Sequence, residues 1–228
     1  MYQQASAIEH EIGGKNFYAS TLTQMGRVLR QQANAGDAQQ AYPDSISLEE
    51  ELGNKSDAAE TRLALAELDC DSGKGTEAEE LSRAAVAAFR ADAYADEEIF
   101  AQSMLSRALL EQGRVDEAQT AIAEAVRLSE KSQDVIVRIP VILDHAYVMA
   151  AGKNLNGAES AAQEALSRAR NLGLFRLQLE ASLALGQIQM IGPNPNAGRA
   201  QLHAVEKSAR AKGFELIARK AADSNRVR

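Results

Sequence analysis

The sequence predicts an all-helical protein built as an array of similar helical hairpins, and three observations predict it. Only 4% of the 228 residues are aromatic, Trp is absent, and long stretches consist of Ala, Leu, Glu, Gln and Arg, all strong helix formers. A phrase near the start returns: aligning Tyr2 with Tyr42 pairs Ile8 with Leu48, Glu9 with Glu49, Glu11 with Glu51, Gly13 with Gly53 and Lys15 with Lys55. The same 40-residue step carries Ala38 to Ala78, Ala118, Ala158 and Gly198, and Gly26 to Ala66, Ser106, Ala146 and Gly186. Small residues are needed where two helices approach closely, so each repeat is expected to be a pair of helices crossing at those positions.

The elements follow in order. Residues 1–14 match the second half of a repeat and are expected to form a second helix without its first. Helical hairpins are expected at 16–53, 56–93, 96–133, 134–173 and 174–213, and residues 214–228 as a capping or truncated first helix. Second helices are expected to start at Gly36, Thr76, Asp116, Asn156 and Asn196, residue types that favour the N-cap. Gln39, Glu79, Gln119 and Glu159 follow three residues later, as in a capping box. Gly13, Gly53, Gly173 and Gly213 mark their ends, where the chain turns left-handed. Ala93 and Gln133 occupy that slot in the middle repeats, which predicts a different closure there. Pro43 falls inside a second helix and predicts a kink or an unwound turn over 42–44, whereas Pro140 falls near a first turn and Pro193 and Pro195 in a turn.

The small residue of the first helix, the Ala twelve positions on and the further small set Ser45, Ala85, Ala125 and Ala165 resemble the tetratricopeptide repeat (TPR) family across nearly the whole chain. The family's unit is about 34 residues, and the Pro that commonly ends its second helix is replaced here by Glu50, Arg90, Glu130, Arg170 and Arg210. Second helices that continue to the Gly slot account for the longer unit. Repeats of this length, with phrases such as EELGNK, are similar to those of kinesin light chains and of large bacterial regulators. The resemblance implies an all-α solenoid of antiparallel helix pairs in a right-handed superhelix. It implies a ligand on the concave face lined by first helices, which by register brings Arg27, Arg30, Glu67, Phe100, Arg107, Leu143, Tyr147 and Gln187 to a peptide-binding groove. The face is expected to run from basic, through acidic, to one with Phe100, Leu143, Tyr147, Leu183 and Met190 exposed or half-exposed. The family's clamp for a C-terminal carboxylate uses paired Lys and Asn that these slots lack.

Other chemistry finds little support. The lone cysteine, Cys70, cannot form an internal disulfide, and no Cys/His group has metal-binding spacing, so neither a metal nor a cofactor is expected. No apolar run approaches bilayer length and no signal peptide is evident, so a cytoplasmic protein without membrane contact is expected. His145 occupies a slot that is Met25, Leu65, Leu105 and Leu185 elsewhere, and reads as a hydrogen-bonded core histidine. Asp69, Cys70 and Asp71 are adjacent on a helix and diverge instead of converging on an ion. GKGT lacks the fuller spacing of a phosphate loop and reads as a turn into Thr76. No nucleophile has a His partner at a plausible slot, so enzyme activity is not expected.

Charge is uneven. The net charge is −7, but Asp44–Glu80 carries twelve acids against three bases and Arg199–Arg228 eight bases against three acids. Bulk nucleic-acid binding is disfavoured by the overall sign. The expected function is a non-catalytic protein–protein interaction scaffold in a larger bacterial signalling or transcription-regulatory protein. A small-ligand sensor domain and an oligomerisation module, self-associating through the N-terminal half-repeat or through the oppositely charged ends, are the alternatives.

Overall fold

A computed structural model describes residues 14–226, which form eleven helices. They are α1 (Lys15–Gln31), α2 (Ala35–Glu51), α3 (Lys55–Asp71), α4 (Gly75–Ala91), α5 (Ala95–Glu111), α6 (Val115–Ser129), α7 (Arg138–Ala151), α8 (Leu155–Asn171), α9 (Phe175–Ile191), α10 (Pro195–Ala211) and α11 (Glu215–Arg226). The expected orphan helix falls almost wholly outside the described residues.

The 40-residue period resolves into two half-periods of twenty: a 17-residue helix and a three-residue connection. In eight of these nine connections the residue two positions past the helix turns left-handed, at Ala33, Gly53, Gly73, Ala93, Gly113, Lys153, Gly173 and Gly213; between α9 and α10, where Pro193 holds that place, Gly192 is extended instead. The next N–H then reaches back to a carbonyl five residues earlier, for example Tyr94 to Phe89 at 2.9 Å, and the following helix starts at once. Two expectations are corrected here. Ala93 closes its helix as glycine does, at a cost of about 1 kcal/mol for its Cβ. The N-caps lie two residues before the expected ones, at Asn34, Lys74, Arg114, Asn154 and Asn194, because the closing residue of one helix is the cap of the next. Asn34 and Asn154 accept from the N–H groups of Asp37 and Gly157. The acids and amides expected in capping boxes serve other ends: Glu79 accepts from Gln112 at 2.8 Å and Glu159 from Gln189 at 2.7 Å, tying a second helix to a first.

The connection between α6 and α7 departs from the rule, with eight residues. Were α7 to begin three residues earlier, Pro140 would stand where an N–H is required; beginning at Arg138 leaves it in the first turn, where none is needed. Arg138 donates to the carbonyls of Ser129, Glu130 and Ser132 and so closes α6. Pro43 does not unwind its helix: α2 is helical throughout Ala35–Glu51. Its ring is on the exposed side, where water can serve the carbonyl left without an amide, while Ala41, Tyr42 and Ser45 are buried on the other.

All ten small residues at the crossing slots are buried. A Cβ on Gly198 would come 2.8 Å from the Gly186 carbonyl oxygen, so these two helices meet backbone to backbone. Each second helix from α2 to α10 packs between two first helices, whereas the first helices also touch one another in sequence and the second helices do not. The stack therefore curves with first helices on the inside. It curves far enough that α11 touches α1.

Candidate functional site

The inner wall is built from one face of each first helix, and curvature brings these faces around a cavity of about 250 Å³. In the 40-residue register, Leu63, Ser103, Leu143 and Leu183 share one slot midway along their helices, and Glu67, Arg107 and Tyr147 share the slot one turn further on. Phe100, Pro140 and Glu180 occupy the slot one turn before. The cavity consequently has apolar and charged sides. Phe100 is 40% exposed, an unusual state for a large aromatic, and faces it together with Leu183, Phe214 and Ile217.

Asp71 organises the charged side. It is 3% exposed, accepts from Arg30 Nε at 2.7 Å and from Lys220 Nζ, and has Arg107 at 3.8 Å. Burial alone would raise its pKa, but Arg30, Lys220 and Arg107 outweigh burial and hold the carboxyl below its ordinary range. Glu67 accepts from Arg30 at 2.6 Å and is likewise held down by Arg30 and Arg107 against the effect of burial. Asp144 differs: it accepts from Ser103 at 2.6 Å, lies 3.7 Å from Arg107, and burial pushes its carboxyl up to about 6. Burial also raises Glu180, although Arg176 donates to it at 2.6 Å.

Lys220 lies eleven positions before the slot of Asp71 in the 40-residue register. At 1.5 Å per residue, α11 has therefore advanced about 16 Å along the helix direction relative to α3. The Lys220–Asp71 pair joins the basic end of the chain to the acidic segment within one molecule.

Of the residues expected in the groove, Arg30, Glu67, Phe100, Arg107, Leu143 and Tyr147 line the cavity. Arg27 does not: its guanidinium lies 3.7 Å from Glu60. Gln187 does not line it either, accepting from the Tyr147 hydroxyl at 2.7 Å and donating to Ser224 at 2.7 Å. Leu143 and Leu183 are more buried than expected, their side chains forming the floor, while Tyr147 and Met190 are half-buried. The expected gradient from basic to acidic to apolar is replaced by interlocked opposite charges, because neighbouring helices, and finally α11, bring each sign against the other. Asp144, Arg176, Phe214, Ile217 and Lys220 were absent from the sequence-based set. Asp144 could have been found from its place four residues past Pro140 and three before Tyr147 on one helix face; Lys220 could not, since closure is a property of the whole superhelix.

The other sequence candidates separate as expected on geometry. Asp69 turns towards Lys74, Asp71 faces inward, and burial raises the Cys70 thiol to about 12, where it is unreactive. His145 is half-buried with its pKa lowered by burial, but no hydrogen bond is formed to it among the described residues, contrary to the expected core pairing. Among the described residues no cluster of His, Cys, Asp or Glu could hold a metal ion, and no helix is long and apolar enough to cross a membrane.

No family model matches the sequence, and no curated protein matches it. Solved structures do resemble it. A Rap protein complexed with competence and sporulation factor superposes with a TM-score of 0.74 at 13% identity, over 88% of this chain and 55% of that one. The present chain thus spans about half the length of that protein. Two structures of TPR-like repeats of a putative kinesin light chain from Podosopora anserina match with TM-scores of 0.57 and 0.55, each at 15% identity. They cover 85% and 91% of this chain and 95% and 97% of theirs. The chain has the TPR-like helical-repeat fold.

Proposed function

We propose that the chain is a non-catalytic interaction scaffold that holds an extended peptide or helix against its inner wall. One observation carries this reading: six first helices converge on a cavity where an exposed Phe100 stands beside charged side chains, an arrangement with anchors for both apolar and polar groups. The similarity to a Rap protein in complex with competence and sporulation factor supports it. The likeness of the 40-residue repeats to those of large bacterial regulators further suggests a cytoplasmic module of a larger regulatory protein.

The test is a peptide array probed with wild type and with the Phe100→Ala, Tyr147→Ala double variant, whose helicity is checked by circular dichroism. Peptides bound by wild type and lost by the variant support the reading. Equal binding by both moves the site off the inner wall. A small ligand in the same cavity is the second reading, favoured by the contact of α11 with α1, which encloses the space. It predicts a thermal shift with a metabolite-sized compound where no peptide produces one.

A further inference from the structure

Arg107 is the unfinished element of the inner wall. Its side chain is 26% exposed and lines the cavity, yet among the described residues no acceptor lies within hydrogen-bond distance of its guanidinium. The two nearest carboxylates stand off at 3.8 Å (Asp71) and 3.7 Å (Asp144), because each is already engaged: Asp71 with Arg30 and Lys220, Asp144 with Ser103. An arginine carries five N–H donors in a planar fork that fits a carboxylate with two parallel bonds. Phe100, Leu143 and Leu183 line the same cavity as that fork.

Electroneutrality decides what can enter. The charged groups around Asp144 are Arg30 from α1, Glu67 and Asp71 from α3, Arg107 from α5, Arg176 and Glu180 from α9, and Lys220 from α11. Tyr147 from its own helix and Ser103 from α5 complete its surroundings. Four cations face four carboxylates, so the ionised wall is neutral and an added anion would leave it one negative charge in excess. Neutralising one carboxylate restores the balance. Asp144 is the one placed to yield, since it has only a hydroxyl hydrogen bond and a distant guanidinium to hold its charge, and its carboxyl already sits high for an aspartate.

Resting on the inner-wall reading above, we propose that the cavity takes an apolar carboxylate, its carboxylate forked on Arg107 and its apolar group against Phe100, Leu143 and Leu183, and that Asp144 takes up one proton as it binds. The carboxylate comes either from a peptide C-terminus or from an Asp or Glu side chain next to an apolar residue. The bound state carries the same net charge as the empty one.

Three acetylated peptides separate the possibilities: Ala-Ala-Phe with a free C-terminus, the same peptide amidated, and amidated Ala-Asp-Phe. Calorimetric titration at about pH 5 and about pH 7.5, in buffers of differing ionisation enthalpy, measures affinity and protons together. A carboxylate peptide is expected to bind about tenfold or more tightly at the lower pH, where its own carboxylate remains ionised, with uptake of close to one proton at the higher pH. Whichever of the two acids binds identifies the source. Asp144→Asn is expected to bind with little pH dependence, and Arg107→Gln to lose about tenfold or more, with Arg107→Lys intermediate because charge without the fork remains. Thermal melts establish that each variant is folded. Equal affinity for the free acid and the amide, or pH dependence that persists in Asp144→Asn, overturns the proposal while leaving peptide binding at the inner wall intact. Binding by none of the three peptides, when longer peptides from the array do bind at Phe100, also overturns it; failure of those as well would overturn the inner-wall reading itself.

Discussion

The junction of α1, α2 and α3 and the junction of α9, α10 and α11 occupy the same place in their repeats and are filled with opposite chemistry. At the first, Thr23, Ser45, Glu49 and Thr61 form a buried hydrogen-bonded cluster, with Thr23 2.7 Å from Ser45 and 2.8 Å from Thr61, and Glu49 accepting from both Ser45 and Thr61 at 3.1 Å. At the second, 160 residues on, the same slots hold Leu183, Val205, Ala209 and Ala221, all within one apolar cluster. The backbone arrangement is shared. Shape is therefore set by helix length, left-handed closures and small residues at the crossings, and the filling is free to vary provided its polar atoms are satisfied. At the first junction they are not wholly so: Glu49 is 4% exposed and, among the described residues, its Oε2 has no hydrogen-bond partner, an arrangement expected to cost stability there.

The comparison breaks most sharply at Leu202, which is fully buried against Gly186 in the apolar junction. Leu202→Ala is expected to cost about 2–5 kcal/mol in urea denaturation, more than any single truncation in the polar cluster. An equal loss from Thr61→Ala would show that the two junctions contribute alike. Transplanting the apolar set onto the first junction, as Thr23→Leu, Ser45→Val, Glu49→Ala and Thr61→Ala together, is expected to stabilise the chain by about 1–3 kcal/mol, since a buried polar network is replaced whole. Destabilisation would mean that the polar atoms hold the repeat in register.

A gentler probe is pH. Burial raises the Glu49 carboxyl above its ordinary value, against the hydrogen bonds of Thr61 and Ser45. A folded-state pKa above the unfolded one means that the folded chain holds its proton more tightly. The associated stability is then full below about pH 4 and is lost as pH rises through the folded value. Wild type should thus lose more stability than Glu49→Gln between about pH 4 and about pH 8, and identical profiles would place the titration elsewhere. The smallest effect is expected at a position common to both ends of the array. Ala93→Gly relieves a left-handed alanine and should raise stability by about 0.5–1 kcal/mol, whereas Gly53→Ala should lower it by a similar amount.

Much of this architecture was legible because its determinants repeat. Ala38, Gly26 and their forty-residue equivalents each report the same crossing five times over, so a single ambiguous residue did not matter. The start of each second helix was misplaced by two residues for an equally physical reason: a three-residue connection makes Asn34 or Lys74 both the end of one helix and the cap of the next. That economy leaves Thr76 and Asp116 as first-turn residues, where the Asp116 carboxylate suits the helix dipole instead. Arg30, Arg107 and Tyr147 line the cavity because repeat register assigns a face. Arg27 and Gln187 share the slot of Glu67, Arg107 and Tyr147 and miss the cavity, engaged instead with Glu60 and with Tyr147 and Ser224. Lys220 meets Asp71 only through closure of the whole superhelix, and no local pattern encodes it.

The most direct test of the inner wall as the binding surface is hydrogen exchange with and without a peptide that the chain binds. Protection concentrated in α3, α5, α7 and α9, around Glu67, Phe100, Arg107, Tyr147 and Glu180, is the predicted result. Protection confined to the second helices α4, α6 and α8, with the first helices unchanged, would contradict it.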